Sequence, residues 1–220
     1  MQARIAAPRA GAQSDGDPID RESARERWNR RFAAAGFEAF PDDPAQWLTE
    51  HDALVRTLAP GRALDVGCGD GRNALHLARL GFEVDALDVS DFAIERLRAA
   101  AARRGLAIDA RLCDLEREPL PAAAYDVVVD FNYLQRDLLP ALAGALAPGG
   151  LLVFETFARA HIDELGGRID PAYVLGPNEL LRAFDGLLVE HYREGVVEHG
   201  GARRGLAGLV ARRPGSATVS

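Results

Sequence analysis

The sequence predicts an α/β fold: a mostly parallel sheet of about seven strands, with helices on both faces and an antiparallel last strand. Two observations support this prediction. From residue 62 onward, short apolar runs alternate with longer segments of helical periodicity, as successive βαβ units require. The run YDVVVDF at 125–131 is the most continuously apolar of them and predicts a central strand that is buried on both faces.

The element boundaries are predicted from the apolar period and from glycines and prolines that end helices. Gly81 and Gly105 end the first two helices, Gly105 as a left-handed cap, and Pro148 stops the third. The predicted strands are 62–66, 83–87, 107–113, 125–131, 151–154, 187–192 and 206–210, and the predicted helices are 72–80, 91–104, 138–147 and one opening at 177–179. The last two strands, separated by a short charged and glycine-rich segment, are expected to pair as an antiparallel hairpin at one edge.

The chain before the first strand is predicted to have two parts. Residues 1–20 are rich in Ala, Gly, Ser, Asp and Pro and are expected to be a disordered tail. Residues 21–58 are predicted to form a cap of two short amphipathic helices joined by a turn at 41–44, and they carry the aromatic residues Trp28, Phe32, Phe37, Phe40 and Trp47. This cap is expected to pack on the rim of the main domain, 59–213, which a flexible tail follows at 214–220.

Composition excludes several kinds of chemistry. The chain has no lysine, so all 26 basic residues are arginines, and neither a Schiff base nor a P-loop lysine is available. A formal charge of −7 makes nucleic acid an unlikely partner. Two cysteines, Cys68 and Cys113, are too few for a disulfide framework and are expected to be small buried residues. No apolar segment suits a signal peptide or a membrane span, so we expect a cytoplasmic protein without a membrane partner.

A glycine-rich loop at 67–71 (GCGDG) follows the first predicted strand. Gly67, Gly69 and Gly71 allow a tight turn and a close approach of the backbone to a ligand. The sixth position of a dinucleotide motif would be glycine and is Arg72 here, which disfavours a pyrophosphate. Asp65, two residues before the loop, would repel a phosphate and attract an ammonium group. These residues predict a zwitterionic amino-acid ligand. Arg72 either faces the carboxylate of this ligand or is a solvated arginine.

Two more acidic residues follow the next two predicted strands. Asp88 can accept hydrogen bonds from both hydroxyls of a ribose, and Asp114 can accept one from an exocyclic adenine amine, with Leu115 beside the ring. In an open α/β sheet the carboxyl ends of the strands meet at one edge, where ligands bind. The three acidic residues therefore predict a site for an adenine nucleoside that carries an amino acid.

The segment LDVGCGDGRNALHLARLGFEVDALDVS at 64–90 resembles the signature of class I S-adenosylmethionine-dependent methyltransferases. The likeness extends over about residues 60–155. It implies a Rossmann-like sheet of seven strands with the last one antiparallel, and S-adenosylmethionine as the cofactor. The resemblance assigns cofactor binding to Asp65, Gly67, Gly69, Gly71, Asp88 and Asp114.

A narrower resemblance concerns the acceptor. The sequences GDGRN at 69–73 and WNRRF at 28–32, with the tail around 180–210, are similar to tellurite-resistance-type and thiopurine-type methyltransferases. That similarity implies a small-molecule acceptor with a soft sulfur, selenium or tellurium nucleophile. Such a nucleophile needs no strong general base, and no candidate base is found in the sequence.

The end of the fourth strand is where this family places residues nearest the transferable methyl group. Phe131 is predicted to contact the cofactor, and Asn132 and Tyr133 are the candidate catalytic residues, although Tyr133 could equally be an aromatic wall. No Asn-Pro-Pro-aromatic motif occurs there, which disfavours a flipped base. The alternatives are a methyltransferase for RNA or protein and a non-catalytic cofactor-binding module. The histidines His51, His76, His161, His191 and His199 lack ligand spacing, so no metal is expected.

Overall fold

A computed structural model of the protein describes residues 23–33, 43–199 and 201–215. The strands are β1 (Arg62–Val66), β2 (Glu83–Asp88), β3 (Ile108–Leu112), β4 (Tyr125–Phe131), β5 (Leu146–Phe157), β6 (Leu188–His199) and β7 (Ala202–Arg212). The α-helices are α1 (Ala24–Ala33), α2 (Gln46–Glu50), α3 (Asp52–Val55), α4 (Arg72–Arg79), α5 (Asp91–Arg104), α6 (Leu139–Ala145), α7 (Ala160–Asp163) and α8 (Glu179–Ala183).

The seven strands form one sheet in the order β3-β2-β1-β4-β5-β7-β6. Strands β1 to β5 pair in parallel, whereas β7 runs against both of its neighbours, β5 and β6. The predicted fold class is therefore confirmed, including the antiparallel last strand and the hairpin at one edge. The order reverses between β1 and β4, and this is the point at which open α/β sheets bind ligands.

The predicted central strand β4 is buried on both faces, and its valines alternate between two cores. Val127 and Val129 pack in the core that includes α2, α4 and α5, whereas Val128 packs in the core that includes α6 and α8. Each face of a strand carries every second residue, so an apolar run is needed when both faces are covered. This burial fixes the position of the residues that follow Val129 at the carboxyl edge.

The predicted cap packs directly on the sheet domain. Helix α1 lies against α5, where Arg25 and Asn29 donate to the carboxylate of Asp91 at 2.7 and 2.8 Å. Trp47 of α2 lies over Gly208 of β7, where a Cβ would come within 2.8 Å of the indole. After the predicted turn, the structure has two very short helices, α2 and α3, where the sequence predicted one. The predicted tail 1–20, the aromatics Phe37 and Phe40 and half of the predicted turn lie outside the described residues.

The boundaries of strands β5, β6 and β7 and of helix α6 were predicted wrongly. Helix α6 ends at Ala145 rather than at 147, because the residue before Pro148 disfavours the helical conformation and Leu146 pairs with Tyr125 in the sheet. Strands β6 and β7 span 12 and 11 residues, so most of the predicted charged connection is strand. An edge hairpin keeps one edge in solvent and therefore tolerates charged residues that look like a loop in the sequence.

Candidate functional site

The predicted site residues of β1 to β4 meet at the carboxyl edge of the sheet. Their meeting point is the side chain of Tyr133. Burial raises the pKa of its phenol first, and the charges of Asp130, Glu116, Asp88 and Asp114 raise it further. The charges of four carboxyl groups at or after the ends of β2, β3 and β4 thus act on the pKa of the same aromatic residue.

The glycines of the loop are required both by the backbone and by the neighbours. Gly67, Gly69 and Gly71 have φ values of 60°, 54° and 86°, in the left-handed region that other residues rarely adopt. A Cβ on Gly67 would lie 2.9 Å from Cγ of Tyr133, and one on Gly71 would lie 2.2 Å from Cδ1 of Leu97. The loop is therefore held tightly between Tyr133 above and helix α5 beside it.

Asp65 and Asp88 are both buried and both bind the main chain of this loop region. Oδ2 of Asp65 accepts from the backbone N–H of Ala74 at 2.9 Å, which fixes the start of α4. Oδ2 of Asp88 accepts from Gly69 and Oδ1 accepts from Ser90, both at 2.8 Å. A carboxylate has about four acceptor positions, so each retains capacity for a ligand. The ammonium and ribose assignments of these residues stay predictions.

Burial raises the pKa of both carboxyl groups. Loss of solvent raises the pKa of Asp65 to about 7, against the opposing effects of the Ala74 amide and Arg72. The pKa of Asp88 is also raised by burial, while the Ser90 and Gly69 amides act against the rise. The site therefore carries less negative charge near neutral pH than its aspartates suggest.

The ends of β3 and β4 are connected by Gln135, which the sequence analysis missed. Its side chain accepts from the Tyr133 hydroxyl and donates to the Leu115 carbonyl at 3.2 Å. Leu115 is buried, while the Asp114 side chain is 37% exposed and accepts from the Glu116 amide at 3.1 Å. Asp114 and Leu115 thus border the same space as Tyr133, and their contact with adenine stays a prediction.

The segment after β4 contains the candidate catalytic residues. Phe131 is buried. Asn132 adopts a left-handed conformation with φ 59°, and its backbone N–H donates to the backbone carbonyl of Glu155 at 2.9 Å. Asparagine tolerates this conformation better than most residues, which places Tyr133 over the loop. Asp130 is 1% exposed, and its Oδ1 has no hydrogen-bond partner in the part of the chain that the structure describes. The catalytic roles of Asn132 and Tyr133 remain predictions.

Arg72 is partly buried, and whether it faces the carboxylate of a cofactor stays a prediction. Burial lowers the pKa of its guanidinium, while the carboxyls of Asp65, Asp70 and Glu155 oppose that decrease. Glu155 of β5 accepts from Arg193 of β6 at 2.6 Å. The sequence gives no signal for this pair, because only the pairing of β5, β7 and β6 brings the two residues together.

The Arg193 guanidinium also lies over the cap. Its central carbon is 4.2 Å from the centre of the Trp47 ring, and its Nη1 is 3.3 Å from Glu50 of the same helix. At the other side of the site, a Cβ on Gly69 would lie 3.5 Å from Cζ of Phe32. Helices α1 and α2 therefore contact the loop and the middle of β6, respectively, as a cap over the rim would.

Both cysteines are buried, and burial raises the pKa of each thiol, which agrees with their predicted structural role. His76 pairs with Asp52 at 2.8 Å, and the rings of His51 and His191 lie 4.6 Å apart. Within the described residues no three His, Cys, Asp or Glu side chains are grouped as a metal site would require. In the same residues, no helix combines the length and apolar character needed to span a bilayer.

An open cleft of about 610 Å³ lies away from the glycine loop, between α7, the segment before α8 and β6. Two of its carboxylates already have partners, since Asp163 pairs with Arg159 and Glu194 accepts from the backbone N–H of Asn178. None of the predicted site residues lines it. The cleft is therefore not the candidate site.

Comparison with known proteins agrees with this geometry. Residues 63–150 match a family model described as a methyltransferase domain. The chain is 35% identical over 133 residues to a ubiquinone biosynthesis O-methyltransferase of Caulobacter sp. strain K31, covering 57% of this chain and 53% of that protein. It is 38% identical over 126 residues to the protein of the same name from Methylocella silvestris, covering 55% and 49%. The chain thus spans about half the length of the curated relatives it matches.

The solved structure of TehB from Haemophilus influenzae has the same fold, with a TM-score of 0.64, 22% identity, and coverage of 75% of this chain and 62% of that one. These findings confirm the resemblance to class I S-adenosylmethionine-dependent methyltransferases and the Rossmann-like sheet. The match of the family model begins in β1 and ends within β5, so it covers the glycine loop and the carboxyl ends of β1 to β4.

Proposed function

We propose that this chain, whose residues 63–150 form a methyltransferase domain, transfers the methyl group of S-adenosylmethionine to a small-molecule acceptor. The observation that carries the proposal is that Asp65, Asp88 and Asp114 lie at the carboxyl ends of the neighbouring strands β1, β2 and β3, with Asp88 bound to the amide of Gly69 in the glycine loop. Carboxylates at this place suit a ligand with ammonium, hydroxyl and amine donors and repel a pyrophosphate.

The chain's own residues would bind and orient the reactants. Asp88 would accept from the ribose hydroxyls, Asp65 would attract the ammonium group, and Leu115 would contact the adenine. The acceptor would attack the sulfonium methyl in line, so that the carbon–sulfur bond breaks and its electron pair remains on sulfur as S-adenosylhomocysteine. Orientation and exclusion of water contribute several kcal/mol to such a reaction, at roughly 7–11 kcal/mol for fully aligned reactants.

For the acceptor, we propose a small molecule with a soft sulfur, selenium or tellurium nucleophile, bordered by Asn132 and Tyr133. The similarity of GDGRN at 69–73 and WNRRF at 28–32 to methyltransferases of soft nucleophiles supports this candidate. The relatives named O-methyltransferases support an oxygen nucleophile as the second candidate. Release of S-adenosylhomocysteine in a panel of tellurite, selenite, thiols, thiopurines and catechols separates the two. Cofactor binding without turnover of any acceptor would favour a non-catalytic module.

The cofactor assignment is tested at Asp88. In Asp88→Ala we expect the affinity for S-adenosylmethionine to fall by about 1–3 kcal/mol, because the ribose hydrogen bonds are lost. Titration calorimetry measures this change. Asp109→Asn, an exposed aspartate on β3, is the control and should bind as the parent does. An unchanged affinity in Asp88→Ala would contradict the ribose assignment.

A further inference from the structure

Two buried carboxyls lie on neighbouring strands at the switch point of the sheet. Asp65 of β1 and Asp130 of β4 are each 1% exposed. In the parallel ladder Asp65 is opposite Val129 and Asp130 is opposite Val66, so the two side chains leave the sheet on opposite faces at the same edge. Both lie near the glycine loop in sequence or through Tyr133, because Asp65 is two residues before Gly67 and Asp130 binds the amide of Tyr133, whose Cγ would lie 2.9 Å from a Cβ on Gly67.

Asp130 has an unusual environment for a carboxyl. Its backbone partner is the amide of Tyr133, and its Oδ1 is without a partner among the described residues. The titratable groups whose charge acts on its pKa or is acted on by it are Asp65 of β1 and Tyr133 of its own segment, and the residues opposite it on β1 and β5 are Val66 and Phe154. No arginine of the described chain acts on it. Burial raises the pKa of Asp130 well above its ordinary value, and the charge of Asp65 adds to this rise.

An apolar residue would fill this position at lower free energy, since a buried carboxyl without a cation is destabilising. A ligand that brings positive charge only while it is bound would explain the carboxyl. S-adenosylmethionine has a sulfonium, an ammonium and a carboxylate, for a net charge of +1. S-adenosylhomocysteine has lost the sulfonium charge and is neutral overall.

We propose that Asp130 and Asp65 distinguish the charged cofactor from its neutral product, an inference that rests on the function proposed above. If a sulfonium is bound beside the loop, Asp130 or Asp65 would release a proton to solvent, and the resulting carboxylate would attract the cation. After methyl transfer the bound product would lack the sulfonium charge, so the carboxylate would take a proton back from solvent and the attraction would be lost. Asp130 is thus a positioning residue that favours cofactor over product.

The test measures proton release on binding. Calorimetry of the whole chain with S-adenosylmethionine and with S-adenosylhomocysteine, in two buffers of different ionisation enthalpy, gives the number of protons released by each. Because Asp65 has a pKa of about 7, the effect should be largest within about one pH unit of neutrality. A cation lowers the pKa of a nearby carboxyl, so affinity for the charged compound should rise with pH, by up to about tenfold per unit for each proton released. The neutral compound should show a smaller rise.

Asp130→Asn has the same shape, keeps an acceptor for the Tyr133 amide and cannot ionise. We expect it to reduce the difference in proton release between the two compounds and to flatten the pH dependence of their affinity ratio. Asp126→Asn is the matched control at the other end of β4, where the carboxylate accepts from the Arg62 amide at 2.9 Å, and it should behave as the parent. Unfolding midpoints establish that both variants are folded.

The outcomes separate the two proposals. If both compounds bind the parent protein with the same proton release, or if Asp130→Asn keeps the parent's difference, the charge-sensing inference is wrong and the methyltransferase proposal stands. If neither compound binds, the proposed function itself fails. If Asp130→Asn does not fold, the comparison of the two compounds on the parent protein still decides.

Discussion

The two halves of the sheet use buried charge in different ways. In the loop half, β1 to β4 with the glycine loop, Asp65 and Asp88 accept from main-chain amides 9 and 19 residues away. In the hairpin half, β5 to β7, Glu155 pairs with Arg193, which lies 38 residues away. The same Arg193 reaches Glu50, at a distance of 143 residues along the chain. Charge in the loop half therefore shapes a local turn, whereas charge in the hairpin half holds distant segments together.

This difference separates what each half contributes to function. The loop half contains the predicted cofactor residues, and the family match covers the carboxyl edge of this half but ends at residue 150, before Glu155. The hairpin half and the cap are joined through Glu155, Arg193 and Trp47. The predicted cofactor residues therefore lie in a local motif, whereas the contacts of the hairpin half depend on tertiary pairing.

The largest effect is expected in the loop half, at Gly71. Gly71→Ala would force an alanine into a backbone conformation with φ 86°. Its Cβ would lie 2.2 Å from Cδ1 of Leu97, which is fully buried. Backbone strain and overpacking together should lower the free energy of unfolding by about 2–4 kcal/mol, and cofactor binding should be lost. Urea denaturation and calorimetry measure these changes.

Gly105→Ala is the control for this prediction, because Gly105 has φ 61° but a Cβ there would meet nothing within 4 Å. Only strain remains, so a decrease of about 1 kcal/mol is expected, with cofactor binding unchanged. Equal effects of the two variants would mean that the close contact of the loop with α5 does not matter.

The loop half could be predicted from the sequence because its contacts are short in sequence. Ser90 caps α5 by accepting from the Ala93 amide, and Gly105 ends that helix in the left-handed conformation, as predicted. The glycines at 67, 69 and 71 have the positive φ values that a tight turn requires. Each of these features follows from the residue type and its nearest neighbours.

The hairpin half and the interior of the site could not be predicted in the same way. Glu155, Gly208 and Arg193 lie in one row only because of the register of three strands, and register is fixed by pairing across the sheet. Asp130 lies in the predicted buried strand 125–131, but the absence of a hydrogen-bond partner for its Oδ1 within the described residues depends on tertiary packing. The sequence carries no local signal for that absence or for the row.

An intermediate effect is expected in the hairpin half, at Glu155. Glu155→Gln removes the charge that Arg193 contacts at 2.6 Å, while the glutamate side chain is only 4% exposed. The arginine, whose side chain is 22% exposed, would keep only its longer ion pair with Glu50, so the free energy of unfolding should decrease by about 1–3 kcal/mol. Glu190→Gln is the control, because its ion pair with Arg212 is 34% exposed on the glutamate side, and it should change stability by less than about 1 kcal/mol. Equal losses would remove the contrast between buried and exposed pairs.

The smallest effect is expected where the cap reaches the loop half, at Asn29. This contact is an exception to the local pattern, since Asn29 binds Ser90 and Asp91 across more than 60 residues of sequence. If it holds only α1 in place, Asn29→Ala should change global stability by less than about 1 kcal/mol and raise amide hydrogen exchange in 24–33 by about two- to fivefold. Arg25→Ala, which loses an ion pair that is 54% exposed on the arginine side, should do less. A global loss as large as that of Glu155→Gln would show instead that α1 is part of the core that holds the glycine loop.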